Sequence, residues 1–274
     1  MKSLFSDDDV EDDEEFIEID PSTKKRKKKR GLSADKIVAC DTIISRAFRE
    51  ANIDLWGDRH FKKSDLEKIV KEGNYALKNI ADIKYLYDAR RHLPPEITKL
   101  GNFVIIGQRK GCYLFTDINH QNLIEPLPTK KTTFVDQTPE LVAEVLGEDE
   151  QSTFSIVHYN NIISKFLGFE VLLAQNHKRT TVSCGQVEID AVYVGKKEGV
   201  KHIIPISGKG EDDYLSYTQA YSLNLYGKEK FPLHKCIPLG IKAEGSSIIC
   251  VEFSPDTEVD KIVIKDMLKF ERQT

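Results

Sequence analysis

No run of apolar residues in this 274-residue chain approaches the ~20 that carry a helix across a bilayer, so an ordinary membrane-spanning helix is excluded. Cysteine is sparse, and its pattern is unpaired. Cys40, Cys112, Cys184, Cys236 and Cys250 are odd in number and scattered, with no C-x-x-C pair and no Cys/His spacing that suits zinc. They are expected to be reduced and mostly buried. The N-terminus lacks the charged-then-apolar order of a signal peptide, which predicts a cytoplasmic protein with no membrane partner. An excess of either charge is missing from the bulk of the chain. Subtracting the ten acids and eight bases of residues 1–30 from totals of 44 and 40 leaves 34 and 32. Bulk charge therefore announces no nucleic acid, and only a local patch could bind one. Apolar residues are plentiful, at 40%, enough for one large or two small domains with a true core.

Residues 1–31 change sign abruptly. Acids cluster from Asp7 to Asp20, and Lys24 to Arg30 is wholly basic. Like-charge blocks of this density repel, which predicts a disordered tail. It either solubilises the protein, or its basic block holds phosphates while its acidic block competes for them.

Residues 32–118 read as a helical domain. Ile37, Cys40, Ile44, Ala47 and Phe48 recur at helical spacing after a possible cap at Ser33. Ser64-Asp65-Leu66-Glu67 resembles a capping box opening a second helix, and Asn79 to His92 reads as a third, stopped by Pro94-Pro95. Asn102 to Ile106 and Cys112 to Thr116 then flank a basic turn, a hairpin signal. Three helices followed by a hairpin is the order of a winged helix. On that reading Lys84, Arg90 and Arg91 lie on the DNA-reading helix, and Arg109 and Lys110 on the wing. The alternative is a helical packing module with ordinary solvated charges.

Residues 119–136 read as a linker, and residues 137–274 as an α/β domain. Thr138-Pro139-Glu140 starts a helix, and Ser152 to Gly168 forms another with a core-facing stripe. Phe169 to Ala174 reads as a buried strand. His177, Lys178 and Arg179 then sit in a polar cluster before the next strand, suited to DNA phosphate contact, although an isolated histidine is more often a structural hydrogen-bonder. A helix follows from Tyr214 to about Tyr226, with Gln219 able to face the site. Glu211-Asp212-Asp213 at its entry complements the helix dipole or supplies a displaced metal ligand. Ile237 to Ile241 and Ser247 to Phe253 read as strands, and Ile262 to Phe270 as a strand or short helix.

Chemistry concentrates between Gly185 and Gly210. Val187 to Val194 and His202 to Lys209 are two β-branched runs joined by a tight glycine-containing turn. Strand alternation puts Glu188 and Asp190 on one face of the first run, and Ser207 and Lys209 on one face of the second. Two carboxylates and an amine at adjoining strand ends suit phosphodiester hydrolysis. Carboxylates hold Mg2+, and a lysine offsets charge on the transition state.

The order helix, strand, strand with Glu-x-Asp, strand with Pro-Ile-x-x-Lys, helix resembles the PD-(D/E)xK nuclease superfamily. Residues 136 to 253 are similar to a group of bacterial proteins labelled endonucleases. The similarity lies in Asp136-Gln137-Thr138-Pro139-Glu140, Asp149-Glu150-Gln151, His158-Tyr159-Asn160, Phe166-Leu167-Gly168, Ala174 to Arg179, Gly185 to Gly195, Pro205 to Gly210 and Lys230-Phe231-Pro232. The resemblance implies a restriction-endonuclease-like core and a metal-dependent DNA endonuclease of restriction or defence type, using Mg2+ or Mn2+. Asp190 would be the principal ligand, and Lys209 would organise the attacking water. A homodimer and a cognate DNA methyltransferase are the partners it suggests. Two positions depart from the pattern: Ser207 stands where the superfamily has an acid, and Ala191 where the bacterial group has Glu. The next helix offers no carboxylate from Tyr221 to Leu225, which leaves Glu188 or Glu150 to complete the metal site. The opposing expectation is an inactive nuclease-fold protein that binds DNA or another partner.

Overall fold

The computed structural model describes residues 33–77, 79–147 and 150–273, so the charged tail expected over residues 1–31 lies outside the described residues. Helix α1 (Ala34–Glu50) buries Cys40, Ile44, Ala47 and Phe48 as its spacing predicts, with Ile43 buried as well and Ile37 only half-buried. Between it and the next helix come two unanticipated strands, β1 (Asn52–Ile53) and β2 (Arg59–Lys62). Helix α2 (Lys63–Glu72) starts ahead of the expected box. The Lys62 backbone N–H donates to the Asp65 carboxylate at 2.7 Å, so Asp65 and not Glu67 closes the first turn. Helix α3 (Ala81–Ala89) and the single turn α4 (Pro95–Thr98) precede the hairpin of β3 (Phe103–Arg109) and β4 (Cys112–Asp117). These four strands form one antiparallel sheet in the order β1-β2-β4-β3.

The stretch read as a linker carries β5 (Leu123–Ile124) and β6 (Lys131–Phe134). The single helix expected over Ser152 to Gly168 is broken. After the short α5 (Glu140–Ala143) come α6 (Glu150–Tyr159) and α7 (Ile162–Leu167). The break has a cause in Asn160, fully buried, whose amide donates to Asp136, Thr138 and the Ile156 carbonyl and accepts from the Gln137 N–H. Asn161 then turns left-handed at φ 52°, a conformation asparagine tolerates and a continuing helix cannot use. Two of the motif pieces, residues 136–140 and 158–160, are thus halves of one clasp.

Strands β7 (Val171–Val182), β8 (Gly185–Lys197) and β9 (Val200–Lys209) form an antiparallel meander. Strand β7 is longer and more exposed than the buried run expected, and Gln175 to Arg179 belong to it instead of to a connection. Then come β10 (Leu215–Ser216), α8 (Tyr217–Lys230), β11 (Lys235–Cys236), β12 (Leu239–Glu244), β13 (Ser247–Phe253) and β14 (Ile264–Arg272), the last a strand. Strand β12 lies parallel to β9, and the mixed sheet runs β6-β14-β13-β12-β9-β8-β7 with β11 also beside β9. On one face Phe154, Val157, Ile162 and Ile163 pack over Ala191, Ile204, Ile206 and Ile241. On the other, Leu223, Leu225 and Tyr226 of α8 cover Ile189, Val192 and Ile203. The described residues from Ala34 onward form one compact α/β unit. No helix among them is long and apolar enough to cross a membrane. All five cysteines are free, though only Cys40 and Cys250 are buried; the others are half-buried.

Candidate functional site

The β8–β9 hairpin closes through a two-residue turn, Glu198-Gly199, with Lys197 paired to Val200. Both turn residues have positive φ, 51° and 81°, the geometry whose twist matches the flanking strands. Its register pairs Ala191 with Ile206, which brings Asp190 beside Ser207 and Gly208. The Gly208 N–H donates to Asp190 Oδ2 at 2.7 Å, and the Ser207 hydroxyl also bonds the carboxylate. Burial pushes the Asp190 carboxyl above its ordinary value, while the Gly208 N–H and Lys209 pull the other way. Glycine at 208 is a packing requirement. A Cβ there would lie 2.4 Å from the Phe154 ring of α6.

Glu188 is less committed. Its carboxylate pairs with Arg179 Nε at 3.3 Å and lies 4.0 Å from His177 Nδ1, with all three side chains about half exposed or more. The ladder pairs Asn176 with Ala191 and Lys178 with Ile189, which sets His177 across from Asp190. His177 adopts φ 48° inside a strand, a left-handed conformation of the kind that concentrates at functional sites. Glu150 opens α6, and its side chain lies outside the described residues.

Lys209 is only 5% exposed, with Tyr85 and Asp88 of α3 among the groups near it. Its ammonium lies 6.0 Å from the Tyr85 ring centroid, and one turn further along α3 the buried Asp88 contacts Lys84. Burial pushes the Asp88 carboxyl up, with Lys84 and Lys209 drawing it down. A second residue escaped the sequence reading. Lys242 of β12 is paired in register with Lys209 and donates to the carbonyls of Glu211 at 2.9 Å and Asp213 at 2.7 Å, fixing the turn that follows Lys209. The acids of that turn do not face the site as a group, since Asp213 pairs with Arg90 at 3.3 Å. Asp88 and Lys242 carry no local motif. Only the long-range docking of α3 and β12 connects them with Lys209.

The candidate DNA contacts divide. Arg109, Lys110 and Arg179, on separate elements, line one cleft of about 1030 Å3 together with Lys63 and Lys84. Glu188 is the one acid among its described lining residues, so this is the local basic patch that the bulk charge does not reveal. Arg90 and Arg91 do not line it. Arg90 lies over the Tyr85 ring and pairs with Asp213, and Arg91 pairs with Asp41 at 3.1 Å. Lys178 and His177 do not line it either. Gln219 lies in the first turn of α8, where its N–H donates to the Ser216 cap and its Oε1 is buried without a partner among the described residues.

Among the described residues no group of three or more His, Cys, Asp or Glu is gathered for metal binding. The donors present are Asp190, Glu188 and the Ser207 hydroxyl, which are all oxygen. That chemistry suits Mg2+ or Mn2+, since Mg2+ takes one or two carboxylates and draws the rest from water and substrate phosphate. No family model matches the chain, and no curated protein or solved structure is significantly similar to it.

Proposed function

We propose that the chain is a metal-dependent DNA endonuclease of restriction or defence type. The observation that carries this reading is the meeting of Asp190, Ser207 and Lys209 where the β8–β9 ladder ends, beside a basic cleft lined by Glu188. Its setting supports the superfamily resemblance. Helices α6 and α7, the antiparallel β7-β8-β9, helix α8 and the parallel β12 follow the order of a restriction-endonuclease-like core. The N-terminal part supports a winged-helix reading, with the β3–β4 hairpin following the helices and β2, which lies between α1 and α2, paired to β4. Its third helix, however, is docked on the candidate site with Lys84 paired to Asp88, while Arg90 and Arg91 fall just past its last residue instead of on it and pair with Asp213 and Asp41.

Asp190 and Glu188 would hold the divalent ion, which supplies Lewis-acid polarisation of the phosphate and an activated water. Gly208 holds one Asp190 oxygen in place through its N–H, so that the carboxylate is oriented before substrate arrives. Lys209, poorly hydrated under Tyr85, offers its charge to the developing phosphorane more strongly than an exposed lysine would. Arg179 is exposed and can exchange Glu188 for a phosphate oxygen.

The second reading is a nuclease-fold protein that binds without cleaving. Serine at 207 and the cover over Lys209 favour it. The deciding experiment incubates unmethylated supercoiled plasmid with Mg2+ or Mn2+, beside Asp190→Ala and Lys209→Ala. Nicking or linearisation by wild type, reduced at least 100-fold in both variants, supports the nuclease. A protein that shifts the plasmid on a native gel, yet is as inert as its variants, sinks it in favour of the second reading.

A further inference from the structure

The basic cleft is bounded where Gly107 of β3 meets the β7–β8 turn, so closely that a Cβ there would sit 2.0 Å from the Cys184 carbonyl oxygen. The β1–β2 hairpin presents the opposite of a cleft, an apolar projection. Leu55 at its tip is 99% exposed, and Trp56, the one tryptophan of the chain, 89%. Their turn is held firmly. Asp54 Oδ1 accepts from the Trp56 and Asp58 N–H groups at 2.9 and 3.0 Å, and the Asp54 N–H donates to the Asp58 carbonyl at 2.9 Å. Gly57 supplies the positive φ of 88° that the turn requires, and His60 holds the other Asp54 oxygen. An apolar knob fixed in this way loses little conformational entropy when it docks, as anchor residues at interfaces do.

Beside the knob lies a hollow of about 270 Å3, lined by Phe48, Ile97 and Leu100 with Arg49, Arg59 and Glu96. It is smaller than the roughly 300–1,000 Å3 of small-molecule sites, and so on the scale of side chains. Its Leu100 is 65% exposed. Knob and hollow share one hairpin, because Arg59 in the wall of the hollow is the register partner of Ile53, itself 58% exposed. The Arg59 guanidinium lies 4.3 Å over the Phe48 ring, and its one hydrogen bond among the described residues is a long one, 3.5 Å to the Phe48 carbonyl. Its Nε is buried without a partner among them.

We infer that the chain forms a two-fold homodimer in which the Leu55-Trp56 knob of each copy fills the Phe48-Ile97-Leu100 hollow of the other. A knob and a hollow side by side on one patch suit an isologous contact, in which whatever the first copy gives the second returns. Charge agrees with shape. Asp54 and Asp58 flank the knob, whereas two arginines and one acid line the hollow. Arg49 pairs with that acid, Glu96, at 2.7 Å, which leaves Arg59 for an incoming carboxylate. The same two acids disfavour nucleic acid or an anionic lipid surface at the knob. An aromatic side chain buries about 150–250 Å2. With Leu55, Ile53 and Leu100 added, and both copies counted, the total reaches the roughly 1,000 Å2 that a specific interface needs. The inference does not depend on the nuclease reading, and its test uses neither metal nor DNA as a requirement.

Sedimentation equilibrium of the full chain is expected to show a dimer with a Kd on the order of micromolar, as suits so small an interface. Trp56 emission should shift to the red across the same dilution, as the ring passes from the hollow into water. Trp56→Ala and Leu100→Glu change exposed positions and should melt as wild type does, yet each is expected to weaken the dimer at least about thirty-fold. Mixed together, the two variants should associate more tightly than either does alone, because the mixed pair keeps one intact knob in one intact hollow. A chain that stays monomeric up to about 100 µM, or a dimer that Trp56→Ala leaves intact, overturns the inference. So does a monomer whose Trp56 emission shifts to the blue only on phosphatidylcholine vesicles or duplex DNA, which gives the knob to that occupant instead.

Discussion

Gly208 shows how little room the candidate site leaves a single residue. Gly208→Ala would drive a methyl group into the Phe154 ring at 2.4 Å, and overpacking of this kind costs typically about 1–3 kcal/mol. Urea unfolding should register that loss, and Phe154→Leu in the same chain should recover part of it. A second residue-scale expectation concerns pH. His60 Nε2 and Asp54 Oδ2 lie 2.8 Å apart; the hydrogen bond to Asp54 raises the His60 pKa and the same bond lowers that of Asp54. The raised histidine stabilises the fold fully below its ordinary value of 6.5 and ceases to do so as pH rises through its folded value. The lowered aspartate contributes above 3.8 and loses this as pH falls through its own folded value. The difference in urea midpoint between wild type and His60→Gln should therefore be largest near pH 5 to 6 and shrink towards pH 8. Asp190 and Lys209 were legible at this scale because a carboxylate and a lysine within two β-branched runs joined by a glycine turn are local features, although alternation itself breaks at Asp190, with Ile189 and Ala191 packed on opposite faces. Asp88 and Lys242 were not, because an aspartate on one helix and a lysine on a later strand meet Lys209 only after the chain has packed.

Among the elements, strong periodicity carried through and weak periodicity did not. The β8–β9 hairpin and β13 stand where β-branched runs and a glycine turn place them. Strands β1 and β5 have two residues each, too few to show any period, and β2 is a charged Arg-His-Phe-Lys run. The apolar stripe from Phe154 to Leu167 is continuous as text, yet the chain breaks at Asn160 because a fully buried amide must satisfy its hydrogen bonds. That clasp is testable. Asn160→Ala strands the Gln137 N–H and takes one of several donors from the Asp136 carboxylate, and should lower stability by about 1–3 kcal/mol in calorimetry. Asn160→Asp should be no better, since a carboxylate has no N–H to give to Asp136.

The whole molecule is stitched where a linker was expected. Strand β5 pairs with β10, Asn119 donates to Asp260 from both its backbone and its side chain, and Asn122 accepts from the Thr218 N–H. The described residues should accordingly unfold in one cooperative transition, with calorimetric and van't Hoff enthalpies that agree; two resolved transitions would contradict it. The single tryptophan is a poor witness to this, as Trp56 is 89% exposed already, so circular dichroism is the better signal.

The Gly107–Cys184 contact reaches further than packing. Together with Ile106 and Tyr221 it parts the basic cleft from a second one that carries Asp58, Asp117, Glu258 and Asp260. Whatever loosens that partition joins a basic space to an acidic one, and dilutes the attraction of the first for an anion without removing a single cation.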